Sequence, residues 1–242
     1  MISVHQNPHA TIDISQDQLC MMADLVKKAL ENALKSLFEP NILMARNVIN
    51  ADKAINSYEI DIDNSTYTLL TIGSLPPQIL RSIISIQKIN AILERIGDHA
   101  VNIAESAISF TLAPRSAGDK GELFDLPTMA NLCNGILSEA LASFFNQDVV
   151  KANKVLSCDD RIDQLNISIT NEVKAKVLDR KMDFETALEI IRICKNLERI
   201  ADLSTNIAEE ATFAVSGLVV KHHAAQRGEK IENNLQLREL GT

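Results

Sequence analysis

The feature that most constrains this chain is that it is written twice. A shift of 107 residues pairs Met22 with Met129, Leu25 with Leu132, Leu30 with Leu137, Ala33 with Ala140, Phe38 with Phe145, Val48 with Val155 and Asp52 with Asp159. Further along, a shift of 104 matches LERIGDHAVNIAE at 93–105 to LERIADLSTNIAE at 197–209. Internal repeats of this kind fix architecture before detail, because each copy must bury the same apolar face. The three lost residues belong in a connection between the two blocks, where deletions are absorbed most easily.

Each copy reads as three helices. In residues 16–38 the apolar positions Leu19, Met22, Val26, Ala29, Ala33 and Leu37 recur at helical spacing. Pro40 suits the first turn of a second helix reaching Thr71, and Pro76 and Pro77 can open a third that runs to Phe110. Only 8 glycines and no tryptophan occur, and β-branched aromatic runs are lacking, so strands are not indicated. The spacing therefore predicts an all-α chain: repeat 1 at residues 16–110, a linker at 111–126 rich in turn signals, repeat 2 at 127–227 with Asp183 capping its last helix, and a polar tail at 228–242. Short connections favour antiparallel three-helix bundles in tandem. A single six-helix bundle fits the length as well.

The net charge is −8 and no basic stripe is visible, which disfavours nucleic acid and points to cations or basic partner surfaces. Cys20, Cys133, Cys158 and Cys194 form no CxxC pair, and Cys133 and Cys194 sit among apolar neighbours as buried thiols. Neither a secretory leader nor an apolar run of membrane-spanning length is visible, so a cytoplasmic protein is expected. Histidines are scattered, and no Ser-His-Asp order, nucleophile elbow or phosphate-cradling glycine loop is present. No enzyme is expected.

Oxygen-bearing residues are instead arranged in rows. Glu94, Asp98, Asn102 and Glu105 fall within about 80° of one another on one helix face. Glu198, Asp202, Asn206 and Glu209 repeat them in type and spacing. On helix two, Asp52, Asn56, Glu59 and Asp63 make a second row, answered by Asp159, Asp163, Asn166 and Thr170. If helices two and three are neighbours, the rows converge. Like charges four residues apart destabilise a helix, and a cation between the rows would offset that. Oxygen-only ligands favour hard ions such as Mg, Ca, Mn or ferric iron, and several carboxylates per site could bridge more than one ion. The competing reading is a solvated acidic face neutralised by Lys53, Arg95, Arg161 and Arg199. Gly97 lies inside a helix and its counterpart is Ala201, which suggests close helix packing there.

The phrase ILRSIISIQKINAILERIGDHAVNIAE, echoed by NLERIADLSTNIAEEATF and followed by GLVVKH, resembles the PhoU family of phosphate-signalling proteins from Leu19 to about His223. The resemblance implies two three-helix bundles and a regulatory role between a phosphate transporter and a sensor kinase, damping the phosphate-starvation response. It implies a transporter ATPase subunit and/or that kinase as partner, membrane contact only through partners, and room for a homodimer. It also implies metal at E/DxxxD motifs, in some members as multinuclear iron clusters, carried here by Glu94/Asp98, Glu198/Asp202, Asp159/Asp163 and Glu59/Asp63. The chain departs from the pattern at Asn56, Asn166 and Thr170, and at Ile79, which replaces an acidic residue before helix three. A metal-storage helical protein without a signalling role is the alternative, and a plain scaffold the third.

Overall fold

The computed structural model describes residues 8–71, 73–112, 125–157 and 159–219, with the side chains of 8–11, 159 and 160 excepted. The chain runs α1 (Pro8–Phe38), α2 (Ile42–Leu70), α3 (Pro77–Leu112), α4 (Leu126–Phe145), α5 (Val149–Leu156), α6 (Asp159–Leu178) and α7 (Phe184–Ser216). No strand occurs among the described residues. Residues 113–124 of the expected linker and the whole expected tail lie outside them.

Local chemistry sets the helix ends. Asn41, not Pro40, opens α2: its Oδ1 accepts from the Met44 amide at 3.0 Å, and Pro40 lies in the preceding turn. Asp183 caps α7 as expected, Oδ1 accepting from the Thr186 amide at 2.9 Å and Oδ2 from the Thr186 hydroxyl at 2.6 Å. These bonds hold the Asp183 carboxyl below the ordinary carboxylate value. At the far end Gly217 takes φ +71°, the left-handed conformation that glycine adopts without strain, and its amide closes on the Phe213 carbonyl.

The second repeat follows the expected three-helix plan with one difference. Its middle helix is broken into α5 and α6 at Ser157, whose hydroxyl donates to the Lys154 carbonyl at 2.7 Å while its amide turns back to Lys154 and Val155. The equivalent position in the first repeat is Asn50, inside an unbroken α2.

In repeat 1, α1, α2 and α3 pack against one another; in repeat 2, α7 packs against α4, α5 and α6. The two units meet mainly along α3 and α7. Those helices run antiparallel: Lys88 reaches Glu210, His99 reaches Asn196, and Arg192 reaches Glu105. Fully buried Ile83, Ile86, Leu93, Ile96 and Ile103 of α3 and Ile193, Leu197, Ile200 and Ile207 of α7 belong to one continuous apolar cluster with the remaining helices. Two duplicated three-helix units thus share a core across their third helices. Cys133 and Cys194 are buried in it, and burial pushes the Cys194 thiol up to about 12 and that of Cys133 higher still. Among the described residues no helix is long and apolar enough to cross a membrane.

Candidate metal centre

In repeat 1 the two acidic rows do converge, because α2 lies antiparallel against α3. Gly97 makes the approach close: a Cβ there would stand 3.2 Å from Ile55 Cδ1 and 3.6 Å from Asp52 Oδ1. Two helical turns away, Asn90 is 1% exposed, and its Nδ2 donates to the Glu59 carbonyl at 3.0 Å and to Asp63 Oδ1 at 3.1 Å. Asn56 Nδ2 donates to Asp52 Oδ2 at 3.0 Å. These bonds hold the α2 row against α3, yet Asp52 Oδ1, Asn56 Oδ1 and Asn90 Oδ1 remain buried with no hydrogen-bond partner. An unsatisfied buried acceptor costs about 1–3 kcal/mol, so three spread along the line where α2 meets α3 favour a donor or cation there.

The charges agree. Burial raises the Asp52 carboxyl above its ordinary value against the Asn56 bond that lowers it, and the Asp98 charge raises it further. Glu59 is raised by burial, then by Asp63 and Asp98. Glu94 is raised by burial, then by Asp98, Glu59 and Asp52, with Arg95 opposing. Asp52, Glu59 and Glu94 therefore each feel neighbouring carboxylates along the α2–α3 line, and at Glu94 that repulsion outweighs the nearby Arg95. A hard cation fits this donor set of carboxylate and amide oxygens. No three His, Cys, Asp or Glu side chains among the described residues already stand as a ready-made ligand set, so rotamers must turn inward to bind.

The rest of the α3 row goes elsewhere. Asn102 Oδ1 accepts from Arg192 Nη2 at 3.3 Å, and Glu105 pairs with the same guanidinium at 2.8 Å. Both are held at the seam between the repeats by Arg192 of α7. His99 is also turned to the seam. Asn196 Nδ2 donates to the Arg192 carbonyl, so Asn196 Oδ1 accepts from His99 Nδ1 at 2.8 Å.

Repeat 2 holds a different arrangement. Asn166 Nδ2 donates to Glu198 Oε2 at 2.7 Å, and Lys195 Nζ donates to Glu198 Oε1 at 2.7 Å and Oε2 at 2.8 Å. Thr170 lies 3.5 Å from Asn166 Oδ1, and Arg199 stands 3.6 Å from Asp202. Asp163 is exposed on α6, Asn206 is half-buried on α7, and the Asp159 side chain lies outside the described part. Sequence reasoning missed Asn90 and Lys195. The signal for Asn90 was one polar residue in an apolar stripe, opposite Cys194 in the other copy; for Lys195 it was a base one turn before Glu198 where the first copy has Ala91.

The raised carboxyls set a pH dependence. Asp52, Glu59 and Glu94 hold their protons more tightly in the folded chain than in the unfolded one, so their ionised forms destabilise the fold at neutral pH. As pH falls from neutral through the raised values, the folded protein takes up protons first and stability rises. Asp183, with a lowered value, withdraws its contribution only further down. The metal-free protein should melt higher just above the ordinary carboxylate range than at neutral pH, and Glu94→Gln should flatten that slope. Thermal melts across this interval check it, and a melting temperature that climbs with pH throughout would contradict the cluster.

The PhoU domain model matches residues 19–107 and again residues 126–211, once in each repeat. The phosphate-specific transport system accessory protein PhoU homolog of Aquifex aeolicus is 31% identical over 219 residues, covering 90% of this chain and 97% of that protein. The like-named protein of Pseudomonas aeruginosa is 29% identical over 232 residues, 96% of this chain and 95% of its own. The crystal structure of PhoU from Pseudomonas aeruginosa superposes with a TM-score of 0.82 at 28% identity, over 88% of this chain and all of that one. The phosphate transport system regulatory protein PhoU from Streptococcus pneumoniae gives 0.79 at 25% identity over 89% of this chain. Those relatives are named accessory and regulatory proteins, in keeping with the absence of catalytic motifs. With both repeats matched and the whole helical architecture shared, the chain belongs to the PhoU family.

Proposed function

We propose that this chain is a non-enzymatic regulator of phosphate uptake and phosphate-starvation signalling that acts by binding, with a hard metal ion, or more than one, held by the carboxylate cluster of repeat 1. The observation that carries the reading is the match of the duplicated fold, over nine-tenths of its length, to a protein named as an accessory of the phosphate-specific transport system. A bound cation would supply charge neutralisation and a link between α2 and α3. The chain's own part is to hold Asp52, Asn56, Glu59, Asp63, Glu94 and Asp98 along the line where those helices meet. In repeat 2 the corresponding side chains are Asp159, Asp163, Glu198 and Asp202.

A chain that works by binding needs a complementary surface, and a net charge of −8 favours basic patches on a transporter ATPase subunit or a sensor kinase, an attraction that weakens with salt. The second reading, metal storage or sensing without signalling, is favoured by the orphaned oxygens of repeat 1 alone. Deleting the gene separates the two. The regulatory reading expects alkaline phosphatase, or its equivalent, to be expressed despite abundant phosphate, and the wild-type gene to restore repression. Unaltered repression in a deletion strain carrying no other PhoU-like gene would sink the signalling role.

A further inference from the structure

We infer that Lys195 is a built-in counterion that takes the place of a metal ion in the second repeat, so that a hard divalent cation is taken up by the first repeat in preference to its copy. The inference rests on the metal reading proposed above and adds to it which repeat is open and which residue closes the other.

Duplication makes each repeat the control for the other. Glu94 and Glu198 are equivalent positions on α3 and α7. Glu94 faces other carboxylates, and its neighbour one turn earlier is Ala91, which offers no donor. Glu198 is met by three bonds from two donor groups: both oxygens bond the Lys195 ammonium at 2.7 and 2.8 Å, and Oε2 also accepts from Asn166 at 2.7 Å. The ammonium is tethered on the same helix one turn away, so it is always present at high local concentration. A cation entering from solvent must first displace it.

The inner wall differs in the same sense. In the first repeat the buried Asn90 side chain reaches into the cluster at Asp63 and keeps an unpartnered Oδ1. Its equivalent in the second repeat is Cys194, a buried thiol and a poor ligand for a hard ion. Glu59 and Asp63 are answered by Asn166 and Thr170, and only the change of Asn56 to Asp163 runs the other way. The rows of the first repeat therefore hold five carboxylates, none of them ion-paired among the described residues, whereas the sequence of the second supplies four, of which Glu198 is already bonded to Lys195. A lone exposed ion pair would weigh little. Here the lysine is 52% exposed, but the carboxylate is only 17% exposed and three charge-assisted bonds converge on it.

Manganese titration of the full chain tests this, with free Mn²⁺ read by electron paramagnetic resonance and folding of each variant read by thermal melting. In the wild type, Asp98→Asn should remove the tighter binding and Asp202→Asn should leave it intact. Lys195→Ala should add a second class of site, about tenfold tighter than whatever the second repeat shows with lysine present. That gain should disappear on adding Asp202→Asn, and Lys195→Arg should show no gain. Equal losses from Asp98→Asn and Asp202→Asn in the wild type, or a Lys195→Ala titration superimposable on the wild type, would overturn the inference while leaving metal binding standing. Wild-type protein that takes up no manganese would instead overturn the metal reading on which it rests.

Discussion

Ile96→Ala should destabilise both repeats together, by about 2–5 kcal/mol, in one unfolding transition. Ile96 is fully buried in α3, and α3 packs against α1 and α2 on one side and α7 on the other. Shortening it removes transfer free energy and leaves a cavity that rigid helices on several sides cannot close. For a domain of this size the loss corresponds to roughly 5–15 °C in melting temperature. The equivalent change, Ile200→Ala in α7, should behave alike, because the two positions are related by the repeat and belong to one apolar cluster. Urea melts followed by circular dichroism check it. Two separated transitions, with only one moved by Ile96→Ala, would contradict a core shared across α3 and α7.

The second large effect concerns metal. Chelator-treated protein should gain stability on adding Mn, Mg or iron, by about 2.7 kcal/mol when the free ion is a hundred times its dissociation constant. The physical source is the repulsion among Asp52, Glu59, Glu94 and their neighbours together with three buried oxygens that lack donors. Replacing Glu94 and Asp98 by Gln and Asn should therefore act in opposite directions in the two states. Without metal the variant should be at least as stable as the wild type, since like charges are removed; with metal it should show almost none of the gain. A variant that loses stability in both states would indicate that those carboxylates support the fold itself. No gain in the wild type with any hard cation would favour a solvated acidic face.

Much of this architecture was legible because duplication and helical periodicity act along the chain. Leu19, Met22, Val26, Ala33 and Leu37 are buried on α1 as their spacing requires, and Asp183 caps α7 as its position before the last apolar run requires. The break between α5 and α6 was not legible, since no proline or glycine marks it. The acid rows were visible as rows, but a row does not say which neighbour it meets. The spacing of Glu94, Asp98, Asn102 and Glu105 puts them on one face, while Arg192 of α7 holds Asn102 and Glu105 at the seam between the repeats. Equivalence of the repeats in residue type likewise hid a difference in partner: Glu94 and Glu198 are the same residue, and Lys195 makes them chemically unlike.

The most direct test of the account is to locate the ion. Crystals grown with manganese, measured at a wavelength where manganese scatters anomalously, should show a peak where α2 meets α3, flanked by Asp52, Glu59, Glu94 and Asp98, and a weaker or absent one beside Glu198. A strong peak between α6 and α7 with none at Glu94 and Asp98 would contradict it, as would manganese bound only at sites away from both acidic rows.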